Sequence, residues 1–386
     1  MIEPMHDVAI VGAGPVGATL ALALARAGLD MIVLDARAEG TTPRGDRSLA
    51  LSHGARLIFE RLGVWTPLAA EPDAVTPIVA IDISQARGFG SATLRATDVG
   101  LPALGYVASY VALQKVLDDA MHAAGIGVAW AQAVDQIDAT PAYASLRRTS
   151  VGDALTARFA VVADGSGENV AGITRVRHDY GQVALIADVA RDTPQDGVAY
   201  ERFTSEGPVA LLPKGDRYGL VWTMTPARAE AALALDDRAF IDALGVHAGT
   251  RIGRIVSVGP RRTFPLVLEY AKPAALPRVA MLGNAAQTLH PVAGQGFNMG
   301  LRDAFELARV VIDTPRDAIG ARAMVDRYLR KRRPDRAAGI AFTHGLTRMF
   351  GSGLPLFAWP RGIGLAALDA LPIGKRAFTR AMLYGF

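Results

Sequence analysis

Between Asp7 and Asp35 the chain reads as strand, glycine turn, helix, strand and acid, an order that commits it to a βαβ unit. Asp7 to Val11 is a short apolar run of the kind that forms a buried strand. Gly12-Ala13-Gly14-Pro15-Val16-Gly17 follows at once, then an Ala/Leu-rich segment to Ala27 that favours helix, with Gly28 placed to stop it. Met31 to Leu34 forms a second strand and ends at Asp35. Gly12 permits the tight turn, Gly14 lets backbone approach a pyrophosphate, and Gly17 lets helix and strand pack closely. Pro15 belongs to the same candidate cofactor-binding turn, and the free N–H groups at the helix start favour phosphate. Asp35 is placed to accept hydrogen bonds from a ribose. Glycine is abundant, at 40 residues, so the hexad alone is weak; its strand–helix–strand setting makes a dinucleotide site the reading. FAD and NAD both remain open at this point.

At 386 residues the chain has room for two or three domains, and a hydrophobic share of 51% with 20% charged residues is that of a globular protein. There is no cysteine, which excludes disulfides, thiolate metal sites and dithiol chemistry. The first residues lack a basic segment followed by an apolar one, so no leader is expected, and no apolar run is long enough to span a membrane. These features fit a cytoplasmic protein. A net charge of +4 is too mild over this length to argue for nucleic acid.

Further along, Ser52 can cap a helix to Leu62, and Arg47 just before it is either a phosphate clamp or a solvated loop arginine. Thr76 to Leu94 is β-like, and Tyr106 to Ala124 is a helix entered from an extended segment, with Val111, Val116, Leu117 and Met121 on its apolar side. Short strands follow to Ala163, as an inserted antiparallel layer would require. Asp164-Gly165 at a strand end suits hydroxyl recognition, or is an ordinary Asp-Gly turn. Gln182 to Thr225 is strand-rich and carries Phe203, Tyr218 and Trp222, which either roof a pocket or belong to a plain core. Arg228 to Leu244 is a helix candidate, and Arg251 to Leu266 returns to strand.

A second glycine-rich turn starts after the apolar strand Arg278 to Leu282. Gly283-Asn284 leads to His290-Pro291 and then to Gly294-Gln295-Gly296-Phe297-Asn298, where another helix begins. Its N-terminus favours negative charge nearby. His290 is a proton donor, a pocket wall or a structural histidine. Met324 to Phe350 reads as a long helix broken or bent near Pro334; its basic run from Arg327 to Arg336 is a solvated face or a surface for anionic membrane. The apolar tail, Leu354 to Phe386, either packs on the body or lies in an interface.

These stretches, in this order and over most of the chain, resemble the group A flavoprotein monooxygenases of the p-hydroxybenzoate hydroxylase fold. Within them the chain is most similar to the ubiquinone-biosynthesis flavin hydroxylases of the 2-polyprenyl-6-methoxyphenol hydroxylase type. Gly12, Gly14, Gly17 and Asp35 match the ADP-binding motif, with Asp where the family usually has Glu. Arg47 matches the arginine that reaches the FAD pyrophosphate. Asp164-Gly165 matches the Asp-Gly motif that serves FAD and nicotinamide. The run from Gly283-Asn284 to Asn298 matches the third motif and is the most specific signal. The chain departs from the family at three places. The arginine that normally follows Asp-Gly is missing from Ser166 to Asn169, Asn284 replaces Asp, and Tyr110 stands where relatives carry Gln, Asn or Arg near the flavin.

The resemblance implies an α/β protein with a Rossmann-like FAD-binding domain on a parallel sheet (residues 1–75, 100–180 and 267–320). It implies an interleaved antiparallel-sheet substrate domain (76–99 and 181–266) and a helical C-terminal region (321–386). It implies that FAD is reduced by transient NAD(P)H, that O2 adds at flavin C4a, and that a polyprenylated phenol is hydroxylated on its ring. His290 and Pro291 would lie beside the flavin. Other ubiquinone-biosynthesis proteins and peripheral contact with the cytoplasmic membrane are the implied partners. Two rivals stay open: an oxidase or isoprenoid reductase on the same fold, and a non-catalytic lipid-binding member of a biosynthetic complex.

Overall fold

The computed structural model describes residues 5–41, 47–86, 88–149, 154–168, 170–290, 294–351 and 358–385. The first strand, His6–Val11, is the centre of a sheet whose strands run, from one edge, Ala275–Leu276, Val279–Met281, Leu155–Val162, His6–Val11, Met31–Leu34 and Val128–Ala129. All but the first of these are parallel. Side-chain alternation divides the core. Val8 and Ile10 face helices, with Leu20, Leu24, Leu117 and Leu307, whereas Ala9 and Val11 face the opposite layer with Leu146, Val162 and Met281. The antiparallel strands Val134–Ala139 and Ala144–Arg148 hang from Leu155–Val162 on that side.

Several boundaries differ from sequence expectation. The first helix is Pro15–Leu24 and not as far as Ala27, because Ala25 and Ala27 bond back three residues into a turn before Gly28 at φ +67°. The expected helix from Arg228 to Leu244 is two, Pro226–Leu233 and Asp237–Ala248, since Asp236 caps the second by accepting from Ala239 N–H at 2.8 Å. Val128–Ala129 joins the parallel sheet and not the antiparallel layer.

A second sheet is antiparallel except where Val198–Phe203 runs alongside Ala80–Gln85. Its longest strand, Thr174–Arg191, is bulged between Asp179 and Gln182, where the change of domain is expected. One face carries Tyr218, Leu220 and Trp222 against Phe240 and Leu244 of the two short helices. The other face, with Glu201, Phe203, Ala210 and Thr223, looks toward the C-terminal helices Ala358–Ala370 and Pro372–Tyr384. Of the three aromatics singled out from sequence, Tyr218 and Trp222 are therefore core and Phe203 lines a cavity.

The long helix Arg322–Gly351 runs through Pro334 uninterrupted. Ion pairs on both sides of the proline bind it to the helix Gln295–Ile312. Arg332 donates to the fully buried Asp303 at 2.6 Å and to Asp335, and Asp335 also accepts from Arg302 at 2.9 Å. The basic run is thus not the free face that the sequence allowed. Arg327 donates to the Val310 carbonyl at 2.7 Å and Lys331 to Glu306 at 2.6 Å, while Arg330 and Arg333 stay exposed. Removing one partner from a buried ion-pair cluster strands the others. Arg332→Met should lower unfolding free energy by about 3–5 kcal/mol in urea titration, and Arg330→Met by less than about 0.5 kcal/mol; equal losses would contradict this reading of the cluster.

Candidate active site

Three adjacent parallel strands end in glycine turns on one edge of the sheet. His6–Val11 leads into Gly12, Leu155–Val162 into Asp164-Gly165, and Val279–Met281 into Gly283-Asn284. The chain leaves the central strand toward Met31–Leu34 on one side and pairs with Leu155–Val162 on the other, so this edge is the switch point where α/β sheets bind ligands.

The glycines hold the turns together by absence of side chains. Gly12 has φ +102°, and a Cβ there would lie 2.6 Å from the Ala163 carbonyl oxygen. A Cβ on Gly17 would lie 1.9 Å from the Gly12 carbonyl oxygen, which is why helix and strand can touch. Gly14 is different. Its backbone is extended, and a Cβ there meets nothing within 4 Å. It faces open space at the start of the helix, where the first N–H groups have no partner within the helix. That is the cradle a pyrophosphate requires, and the residues present fit FAD.

The late motif reaches the same place. A Cβ on Gly300 would lie 3.0 Å from Gly283 Cα and 3.1 Å from Val16, which puts the late helix against the first motif. Gly294 is left-handed at φ +59°, with Ala50 2.9 Å from its would-be Cβ. Asn298 locks this arrangement: its Nδ2 donates to the Ala50 carbonyl and its Oδ1 accepts from Ser52 N–H at 2.8 Å. Gly296 packs near Leu289 and Phe297 on the main core. Gln295 is buried, lines the cavity described below and donates to the Met382 carbonyl at 3.4 Å. Asn284 is exposed at the same edge.

The other expected residues have specific settings. Asp35 is buried; it accepts from Ala13 N–H at 2.6 Å and from Arg37 N–H at 2.7 Å, so it pins the glycine turn itself. Sequence reading missed the rest of that network. Arg37 also pairs with Asp118, and Gln114 donates to the Ala13 carbonyl at 2.9 Å and to Asp118 at 2.8 Å. Burial raises the Asp118 carboxyl, against the pull of Gln114 and Arg37. The available signal was Gln114 and Asp118 spaced i, i+4 on a helix that is otherwise apolar on that side. Tyr110 opens that helix, and its ring lies 4.2 Å under the Arg47 guanidinium. Asp164 is exposed and accepts from Ser166 N–H at 3.0 Å and Gly167 N–H at 2.9 Å, an Asp-capped turn placed beside Gly12. Arg175 approaches that turn from the next strand. It lies 2.8 Å from a Cβ built on Gly167 and donates to the Ala285 carbonyl at 2.8 Å.

Beside Gly294, Gln295 and Asn298 opens a cavity of about 370 Å³ between the second sheet and the C-terminal helices. Its walls are mostly aliphatic and aromatic, including Ile81, Leu212, Phe342, Leu365 and Phe378.

A family model described as FAD binding domain matches residues 5–343. The chain belongs to this FAD-binding family. It is 32% identical over 395 residues to ubiquinone hydroxylase UbiL of Rhodospirillum rubrum, a match covering 98% of this chain and 89% of that one. It is 27% identical over 393 residues to the 3-demethoxyubiquinol 3-hydroxylase of Escherichia coli, covering 97% and 98%. Among solved structures, the p-nitrophenol 4-monooxygenase of Pseudomonas putida shares the fold, with a TM-score of 0.75 at 16% identity over 99% of this chain and 98% of that one. The fold class expected from sequence is the one found, and both the Rhodospirillum rubrum and Escherichia coli relatives are named as hydroxylases.

Two titratable groups of this flavoprotein stand out. His290 is buried with its ring edge-on to Tyr180 at 5.4 Å, and desolvation pushes it down to about 4. It is therefore neutral across the physiological range and is no imidazolium acid there. Pro291 lies outside the described residues. Glu201 lines the apolar cavity, and burial pushes its carboxyl up to about 8; sequence reading passed over it.

The two helix-start glycines separate folding from binding. Gly17→Ala should destabilise the fold by about 2 kcal/mol or more through overpacking. Gly14→Ala should leave thermal unfolding of the apoprotein within roughly 0.5 kcal/mol while weakening FAD binding at least tenfold. Unchanged FAD affinity in Gly14→Ala, read by fluorescence titration, would remove the pyrophosphate assignment.

Proposed function

We propose that the protein is an FAD-dependent, NAD(P)H-using monooxygenase that hydroxylates the ring of a polyprenylated phenol in ubiquinone biosynthesis. The observation that carries this reading is the apolar cavity abutting Gly294, Gln295 and Asn298, beside the glycine turns of an FAD-binding family member. The named activities of the UbiL and Escherichia coli relatives support the substrate class. FAD, reduced by the nicotinamide, supplies the oxygen-activating chemistry. Gly14 at the helix start would receive the pyrophosphate, with Gly12 and Gly17 shaping the turn and Arg47 and Asp164 at its flanks, and Asn284 with Gly294 to Asn298 would hold the flavin end. Arg175 stands in for the arginine missing after Asp164-Gly165. Leu365, Phe378 and their neighbours exclude water, which keeps activated oxygen from being discharged as peroxide. The alternative of an oxidase predicts peroxide in place of hydroxylated product. Purified protein given NAD(P)H, O2 and a short-chain prenylated phenol should form one hydroxylated product per NAD(P)H; nicotinamide oxidation with no product would reject the hydroxylase reading.

The terminal helices also support docking at an anionic membrane surface. They turn Leu365, Leu368, Phe378 and Met382 inward to the cavity, yet leave Ile373 86% and Trp359 70% exposed, with Arg376 and Arg380 also exposed. No helix among the described residues is long and apolar enough to cross a membrane. An apolar outer side over an apolar cavity gives a lipid substrate a short dry path. Trp359→Ser with Ile373→Ser should weaken co-sedimentation with anionic liposomes on the order of tenfold; sedimentation equal to wild type would count against membrane docking.

A further inference from the structure

The cavity holds one group that its walls do not explain. Glu201 sits mid-strand on Val198–Phe203, opposite Ile83 on one neighbour and Ala210 on the other, and all three line the same space. Among the described residues, no lysine, arginine, histidine or second carboxylate lines this cavity. The polar residues that do are Ser52, Thr223, Gln295, Asn298 and Thr379, besides Tyr200, whose hydroxyl accepts from Arg191 at 3.2 Å. Asp82, next to Ile83 in sequence, is engaged with Arg251 at 2.7 Å. Ser52 caps a helix, Gln295 and Asn298 hold backbone groups, and the Thr379 hydroxyl donates to the Lys375 carbonyl at 2.8 Å.

Glu201 is half-buried, and a carboxyl facing apolar walls without a counter-charge beside it costs folding free energy. A lone titratable group in such a setting, facing a cavity, marks a functional site. The only large ligand suited to these walls is apolar over most of its length, with its polar atoms at one place. We propose that Glu201 is the hydrogen-bonding anchor for a ring oxygen of the substrate, a positioning residue that orients the aromatic head inside an otherwise oily cavity. This rests on the hydroxylase reading. The proton stays on the carboxyl: the neutral form donates to a phenol, methoxy or quinone oxygen, and its carbonyl oxygen accepts from a phenol hydroxyl. Because burial holds the carboxyl protonated to about pH 8, the donor is present at neutral pH and is lost as pH rises past that value.

The test measures binding by calorimetry to the FAD-loaded protein, with three probes: a geranylated phenol, its methyl ether and the matching arene without oxygen. Wild type should prefer the phenol to the arene on the order of tenfold to hundredfold. Glu201→Leu should bind the arene as well as or better than wild type and lose the preference, and Glu201→Gln, which can donate and accept, should keep most of it. The methyl ether can only accept. Its affinity for wild type should be level below pH 8 and fall about tenfold per unit above it, while Glu201→Gln stays level. A purely structural carboxylate would not produce that difference. An undiminished phenol preference in Glu201→Leu, or wild-type ether binding that is level to pH 10, would overturn the proposal. FAD content is read separately in each protein, so failure of the flavoprotein reading shows as colourless wild type and not as a lost preference.

Discussion

The close approach of Gly17 to the Gly12 carbonyl is the contact on which the rest of the site depends. A Cβ at Gly17 would lie 1.9 Å from that oxygen, so only glycine lets the first helix settle onto the central strand. With the helix seated, its N-terminus points along the sheet edge where two other strands also end in glycine turns. Val16 then meets Gly283 and Gly300, and the late helix is drawn to the same edge. From there Asn298 reaches Ala50 and Ser52, which positions the segment that follows Arg47. Residues nearly 300 apart in sequence are joined by contacts that glycine and one asparagine make possible.

The outer layers hold this edge in place from behind. Asp303, Arg332, Asp335 and Arg302 fasten the long helix to the late motif helix in the buried core. Such a cluster gives orientation more than net stability, since desolvation offsets much of the attraction. The long helix in turn carries Phe342 and Leu346 to the cavity, and the terminal helices complete its roof. Cofactor edge, ion-pair cluster and apolar cavity are thus successive consequences of one seating.

Much of this was legible in the chain. The period of apolar residues and the placement of glycines gave the first βαβ unit, and the run from Gly283 to Asn298 gave the second half of the cofactor edge. Local signals sufficed there because each turn is made by neighbours in sequence. What was not legible depends on partners far away. Asp35 reads as a ribose ligand, but its nearest donors are Ala13 N–H and Arg37. The basic helix reads as a free face because Asp303 and Glu306, which neutralise it, lie on another helix. Glu201 looks like any polar residue of an alternating strand; only the placement of both terminal helices over that face turns a surface carboxyl into one that lines an apolar cavity. Phe203 and Trp222 were indistinguishable in sequence for the same reason, since strand alternation says that they differ in face only once the register of the sheet is known.

The central claim is that the glycine turns grip one FAD whose reactive end adjoins the apolar cavity. Absorbance of the FAD-loaded protein during titration with a geranylated phenol tests it most directly. One FAD per chain should bind, with a saturable change in the flavin bands as the cavity fills. Ligand binding that leaves the flavin spectrum untouched, or a chain that takes up no FAD, would contradict it.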